Sequence, residues 1–373
     1  MKFCIITQVS HGILGEKYFA YEPYIREMNI WLKYCDDLFI IAPLNLENFS
    51  TISSFYESRN TNFYQVPSFN FIKVSTAIKS IFILPKICFV MYKVMKKADH
   101  IHLRCPGNMG LLGCIMQLFF PSKIKTAKYA GNWDPKSKQP LSYKLQKWIL
   151  SNTFLTKNMQ VLVYGDWNIK SKNIKPFFTA SYNESEIFEI ENKPLSQPLK
   201  FLFVGTLSHG KQPIYSVKLV HEVLKNYPDA TLELIGEGIE RESLRKYIVE
   251  NKLEKNIFLL GNLNKEELKL KYQQSHFLIL PSKSEGWPKV IAETMIWKCL
   301  PISTPVSCVS NMLDNGNRGL ILSLNLVFDA KMIFNLISNQ ENYFEMNTKA
   351  FNWSKQFTTN FFESEIKLLL QKK

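Results

Sequence analysis

The chain has 373 residues, too many for one ordinary hydrophobic core and suited to two domains. Hydrophobic residues make up 46% and charged residues 21%, near the globular average, which excludes a disordered tail protein, a collagen-like fibre and a disulfide-rich mini-protein. The net charge of +14 lies mostly in the first half: residues 1–200 carry 25 Lys/Arg against 14 Asp/Glu, and residues 201–373 carry 21 against 18.

The first apolar run, Phe3–Thr7, is brief and lacks a small-residue cleavage pattern, so it reads as a strand, and the chain is expected to stay in the cytoplasm. Further strands are expected at Asp37–Ile41, Ile101–Arg104, Ile124–Tyr129 and Gln160–Val163, with helices over Tyr24–Tyr34, Phe82–Lys97, Met109–Phe119 and Ser142–Ser151 between them. The longest apolar windows, Ser80–Tyr92 and Gly110–Phe120, fall short of the ~18 residues a membrane span needs. Residues 51–150 carry 15 basic and 3 acidic side chains, interleaved with Phe69, Phe71, Ile81, Phe82, Phe89, Tyr92 and Phe119. That mixture suits an anionic lipid surface. The sequence has no zinc-finger spacing, basic zipper or RRM-type aromatic signature, so nucleic acid is not an expected partner. The seven cysteines include no C-x-x-C pair, which fits reduced thiols and argues against a zinc site.

Residues 183–198 are acidic, then Pro- and Ser-containing, and read as a linker after a first domain over 1–182. From residue 199 to about 350 the alternation is clearer. Strands are expected at Lys200–Val204, Thr231–Ile235, Ile257–Leu260, Phe277–Leu280 and Pro301–Thr304, with helices over Pro213–Asn226, Ile239–Glu250, Lys265–Gln274 and Pro288–Lys298. This is the pattern of an open, doubly wound parallel sheet. In such sheets a ligand sits beyond the carboxyl ends of the strands, so the tips carry the candidates: Gly205, Thr206 and Lys211 after the first; Gly236, Glu237 and Gly238 after the second; Gly261 after the third; Glu285, Gly286, Trp287, Pro288 and Lys289 after the fourth. Glycines admit close backbone approach, a helix opening at Pro288 offers an anion site for a diphosphate, and Lys211 adds a point charge. With Lys211 and that helix terminus available and no D-x-D present, neither a metal nor a cofactor is expected. His11 and Gly12 follow the first strand, and Trp133 and Asp134 pair an aromatic with a carboxylate, a combination that grips sugars.

The stretch Pro281-Ser-x-x-Glu285-Gly-x-x-x-x-x-x-Glu293 resembles the E-x₇-E signature of GT-B retaining glycosyltransferases of family 4, the "glycosyl transferases group 1" class. Phe203-Val-Gly205-x-Leu207-x-x-x-Lys211, Leu234-Ile-Gly236-Glu-Gly238 and Asn315-Gly-Asn-Arg-Gly319 extend the likeness. It covers residues 199–325 well and the first half loosely. Thr206 stands where the family usually has arginine, which leaves the diphosphate to Lys211 with Lys283 or Lys289. Asp99-His-Ile-His102-Leu-Arg104-Cys-Pro106 resembles a D-x-x-H-x-H-x-P strand end, with Arg104 in place of the second histidine.

The resemblance implies two Rossmann-like doubly wound domains facing a cleft, and a C-terminal segment, residues 351–373, whose helix crosses back to the first domain. It implies that Glu293 holds the nucleotide ribose, that Glu285 contacts the transferred sugar, that His102 and Arg104 stand near the reacting centre, and that His11, Gly12, Trp133 and Asp134 line the acceptor side. The function implied is retaining transfer from a UDP- or GDP-sugar to a growing glycan, expected to be linked to a polyprenyl diphosphate, at the inner face of the plasma membrane. The setting is bacterial cell-surface polysaccharide or glycoprotein-glycan assembly. Two other readings stay open: a GT-B nucleotide-sugar epimerase, and a non-catalytic glycan- or lipid-binding subunit.

Overall fold

The computed structural model describes all residues except 46–48, 51, 59, 68, 70–73, 168–170, 197 and 372–373, and over 74–81 only the backbone. Phe71 and the Ile81 side chain, part of the basic and aromatic mixture, lie outside the described residues. The chain divides into two units, Met1–Phe178 with Phe362–Lys373, and Thr179–Phe361. The division falls at Phe178/Thr179, so residues 183–198, read above as a linker, belong to the second unit.

The first unit runs β1 (Lys2–Ile6), β2 (His11–Leu14), β3 (Lys17–Tyr21), α1 (Glu22–Leu32), β4 (Asp37–Ala42), β5 (Ser53–Phe55), β6 (Asn60–Gln65), α2 (Val74–Lys97), β7 (His100–Cys105), α3 (Asn108–Met116), β8 (Ile124–Tyr129), α4 (Leu141–Ser151), β9 (Met159–Tyr164) and β10 (Ile174–Phe177). Seven of these strands form one parallel sheet in the order β10-β9-β8-β7-β1-β4-β6. Strands buried on both faces need near-continuous apolar runs, which Phe3–Ile6 and Leu38–Ala42 supply. One face packs α2, α3 and α4 against Ile6, Leu103, Ala127 and Val161.

The hairpin of β2 and β3 and its partner β5 form a small antiparallel sheet. His11 and Gly12 are therefore strand residues and not a loop. Gly12 faces Phe19, whose ring would lie 2.1 Å from an added Cβ, so any larger residue there would have to displace that ring.

The second unit continues β11 (Lys200–Val204), α5 (Pro213–Leu224), β12 (Thr231–Ile235), α6 (Arg241–Glu250), β13 (Ile257–Gly261), α7 (Lys265–Gln274), β14 (Phe277–Leu280), α8 (Lys289–Ile296), β15 (Leu300–Ser303), α9 (Val309–Met312), β16 (Leu320–Ile321), α10 (Leu326–Ile337) and α11 (Gln340–Ser354). Its six strands are parallel in the order β13-β12-β11-β14-β15-β16, with the switch of direction between β11 and β14. Helix starts follow capping chemistry: Asn264 accepts from the amide of Glu267 while Glu267 reaches back to the amide of Asn264, a reciprocal capping box. The last helix, α12 (Thr359–Gln371), carries the chain from the second unit into the first, where Phe362 packs on Phe177 and Phe178.

Burial holds His11, His100, His102 and His276 neutral. It pushes His11 and His276 down to about 4 and His100 to about 3. The unfolded chain binds protons on these rings near pH 6.5, while the folded chain does not until near pH 4. Stability is therefore expected to fall as pH drops from about 6.5 to about 4, and these rings should add no pH dependence above that window. Chemical denaturation across that range checks it. A flat profile between those limits would contradict the assignment.

Candidate active site

In the second unit, backbone hydrogen bonds tie the strand tips to one another. The Gly205 amide donates to Ile235 O at 2.9 Å, Gly236 to Gly261 O at 2.8 Å, Leu207 to Glu237 O at 2.9 Å, and Lys283 to Gly210 O at 2.8 Å. Two of the glycines serve this contact between tips. An added Cβ on Gly236, at φ +137°, would lie 2.1 Å from Gly205 O, and one on Gly238 would lie 2.3 Å from Leu207 O. Gly205, at φ +151°, is different: its Cβ would meet only the Lys211 side chain, at an ordinary 3.9 Å. Gly236→Ala is expected to cost about 1–3 kcal/mol of stability, read from the denaturation midpoint; a neutral result would mean the tips are not locked.

The fixed tips place Lys211 against Glu285. The loop turns as Ser208 O accepts from the amides of Lys211 and Gln212, and Gln212, in the left-handed region, anchors it to Pro281 O through Nε2 at 2.5 Å. Lys211 Nζ then donates to Glu285 Oε1 at 2.5 Å, with the lysine 28% and the glutamate 8% exposed. A cation in that position is held yet reachable, as a diphosphate would require. Thr206 is exposed beside it. His209 is exposed and pairs with the buried Glu240.

Gly286 O accepts from the Ser307 hydroxyl and the Cys308 thiol, each at 3.2 Å. Trp287 stacks on Trp353 and meets Phe357 edge-on, with ring centroids at 6.2 and 5.1 Å, so the end of α11 and the segment after it brace the loop. Pro288, the expected helix start, is the cap of α8 and lies outside it, so the helix begins one residue later, at Lys289. Glu237 is engaged with Arg241 at 2.8 Å on the exposed surface.

Glu293 lies in α8, half-buried. Its Oε1 accepts from the Ser181 hydroxyl and its Oε2 from Tyr272 OH at 2.8 Å. Burial, and then the Glu293 charge, holds the Tyr272 phenol well above its ordinary range, so it stays a donor. Each carboxylate oxygen keeps a second lone pair, which leaves room for further hydroxyl donors.

The first-unit candidates are described within their own unit. Arg104, near the end of β7, is 19% exposed and donates from Nη1 to Glu27 Oε1 at 3.0 Å. Glu27 also pairs with Lys128 at 2.8 Å, and Lys128 is fully buried with its ammonium 4.9 Å from the Phe362 ring centroid. Residue-type reasoning missed both Glu27 and Lys128. The available signal was a glutamate on the apolar stripe of α1, between Tyr24 and Trp31, and a lysine inside a central strand.

The structure corrects His102. It has no solvent exposure, its Nδ1 bonds Thr126 Oγ1 at 2.8 Å, and it lies 4.8 Å from the Trp31 ring, with burial holding its pKa well below the ordinary value.

His11 is likewise enclosed, bonded to Val9 O and Tyr56 OH at 2.8 Å each. Trp133 is buried edge-on to Tyr129 at 4.7 Å, which makes it core and not a sugar platform, while Asp134 is half-buried and accepts from the Lys136 amide at 2.8 Å. Among the described residues no three His, Cys, Asp or Glu side chains gather as a metal would need.

The family described as "Glycosyl transferases group 1" matches residues 184–352. An uncharacterized glycosyltransferase of Haemophilus influenzae is 28% identical over 171 residues, 45% of this chain and 46% of that protein, so the chain spans about half the length of that relative. The capsular polysaccharide biosynthesis glycosyltransferase CapH of Staphylococcus aureus is 24% identical over 306 residues, 76% of this chain and 81% of that one. The crystal structure of Anabaena Alr3699/HepE in complex with UDP and glucose aligns with a TM-score of 0.71 over 100% of both chains at 14% identity, a likeness of fold. With the Lys211 loop, both glutamates and the four locked strand tips inside residues 184–352, the second unit matches a group 1 glycosyl transferase domain, in a chain whose two Rossmann-like units have the GT-B fold.

Proposed function

We propose that the chain is a retaining glycosyltransferase of family 4 that moves a sugar from a nucleotide-diphosphate donor to a growing glycan in bacterial cell-surface polysaccharide or glycoprotein-glycan assembly. The observation that carries it is the Lys211–Glu285 pair at 2.5 Å on locked strand tips, inside the matched family segment. Lys211 would meet the diphosphate of a UDP- or GDP-sugar, Glu285 the sugar hydroxyls, and Glu293 the ribose hydroxyls beside Tyr272. The acceptor hydroxyl attacks the anomeric carbon on the face that the diphosphate leaves. The C–O bond to the diphosphate breaks, the new glycosidic bond forms, and the acceptor's proton passes to the departing phosphate oxygen. The protein's part is to position these groups and stabilise the growing charge, with no metal or cofactor. The likeness to CapH supports a polysaccharide acceptor. The cationic first half supports a lipid-linked acceptor at the cytoplasmic face of an anionic membrane.

Thermal denaturation in the presence of UDP-, GDP- and dTDP-sugars tests the donor. One nucleotide class should raise Tm, because a ligand bound only by the folded state stabilises it, by about 2.7 kcal/mol at a hundredfold excess over Kd. Glu293→Ala should weaken that donor by about 1.5–3 kcal/mol, the value of a hydrogen bond to a charged acceptor. Unchanged affinity in calorimetry would remove Glu293 from the ribose.

A further inference from the structure

We propose that the first unit docks on an anionic lipid bilayer through the outer face of the layer formed by α2, α3 and α4. This assigns a face to the membrane association proposed above and rests on that reading for its purpose. The observations that carry it are independent of turnover.

The three helices lie side by side, α2 on α3 and α3 on α4. Their inner sides are consumed by the core: Ile87, Met91, Val94 and Met95 from α2, Cys114 from α3, and Ile149 and Leu150 from α4. What they present outward is unusual for a solvated face. Along α2 the exposed positions are Phe82, Lys86, Phe89, Tyr92, Lys93, Lys96 and Lys97, spaced three or four apart on one stripe. Along α4 they are Leu141, Lys144, Leu145 and Trp148.

Phe119 meets Tyr92 edge-on at 6.2 Å and is itself exposed, and Phe154 follows α4. Phe82, Leu141 and Phe154 are 80%, 82% and 77% exposed, so these apolar side chains stand largely in solvent. Two of the aromatic rings carry a lysine over the face: Lys93 lies 4.4 Å from the Phe89 centroid and Lys157 lies 5.3 Å from that of Phe154.

Charge decides the occupant. Between Glu57 and Asp166 the sequence has only two acids, Asp99 and Asp134, and neither lies on these stripes. A second copy would bring lysine against lysine. A bilayer of anionic lipids supplies the opposite sign at the headgroups and an apolar layer just beneath, where phenylalanine and tryptophan insert while lysine stems bend back to the phosphates. Among the described residues no helix is long and apolar enough to cross a membrane, so the mode is docking in the surface plane.

Co-sedimentation of the full chain with phosphatidylcholine vesicles, with and without phosphatidylglycerol, tests this without donor or acceptor. Binding is expected only with phosphatidylglycerol, and should be lost when ionic strength rises from about 0.1 M to about 1 M, which shortens screening from about 10 Å to about 3 Å. The quadruple change Lys86→Gln, Lys93→Gln, Lys96→Gln and Lys97→Gln should weaken it by about 10²–10³-fold, since each lysine near such a surface contributes about a factor of five. Tryptophan emission should shift to the blue on binding, and the shift should shrink in Trp148→Phe. The altered positions are exposed, so each variant should retain the parent's circular dichroism and melting.

Binding indifferent to phosphatidylglycerol, or unmoved by the lysine changes, would overturn the proposal. So would self-association abolished by Phe82→Ser and Trp148→Ser, which would give the face to a second copy. Lys211→Ala should bind vesicles as the parent does. Intact vesicle binding without sugar transfer would therefore count against the enzymatic reading alone.

Discussion

Lys211→Ala is expected to cut sugar transfer by about 10²–10³-fold, the usual loss when one preorganised donor to developing charge is removed. Lys211 sits 2.5 Å from Glu285 on a loop locked to the neighbouring strand tips, so on the proposed reading its ammonium would meet the diphosphate with little reorganisation. The loss should fall mainly on kcat, because charge on the departing diphosphate grows in the transition state and the lysine stabilises that state more than the bound donor. Glu285→Gln should behave similarly if its carboxylate acts on the sugar as the bond breaks. A rise in KM with unchanged kcat would make Lys211 a binding contact only.

Glu27→Ala should destabilise the first unit by about 3–5 kcal/mol, because it takes the paired carboxylate away from Lys128, which has no solvent exposure, and from Arg104. The cost is desolvated charge and not lost packing, which a second substitution separates. In Glu27→Ala with Lys128→Met, the buried cation is gone as well, and part of the stability should return. Denaturant unfolding of both variants provides the comparison. If the double variant is as unstable as the sum of the two singles, the loss is one of packing and the charge account fails.

The second unit was largely legible in the sequence. Its first four strands are short, mostly apolar runs such as Phe277–Leu280, each with glycine or proline at its tip and then a helix, so periodicity and punctuation agree. The first unit was legible in its central strands and its four main helices, but not in the small antiparallel sheet or in the edge strands β6 and β10. The β2–β3 hairpin turns at Gly15-Glu16 between runs containing Lys17, His11 and Gly12, which carry no clean alternation, and its burial comes from contacts with Phe55 and Phe63 that no local pattern announces.

The site showed the same division. Lys211, Glu285 and the glycine tips could be read from their position after strands, but the pairing of Lys211 with Glu285 depends on crossing between β11 and β14, 74 residues apart. His102 misled because sequence spacing does not tell which side of a strand is covered by a helix; α1 covers it with Trp31. Glu27 and Lys128 were missed because each looks like an ordinary surface charge until the fold buries the two together.

The central claim is that the second unit binds a nucleotide sugar and the chain transfers its sugar. The most direct measurement incubates the full chain with the nucleotide sugar that raises its Tm and with a polyprenyl-diphosphate-linked glycan, following nucleoside diphosphate release and the anomeric configuration of the product together. The account predicts one nucleoside diphosphate released for each sugar transferred, a product with the donor's anomeric configuration, and almost no release by Lys211→Ala. Conversion of the donor to another sugar without nucleotide release, or release undiminished in Lys211→Ala, would contradict it.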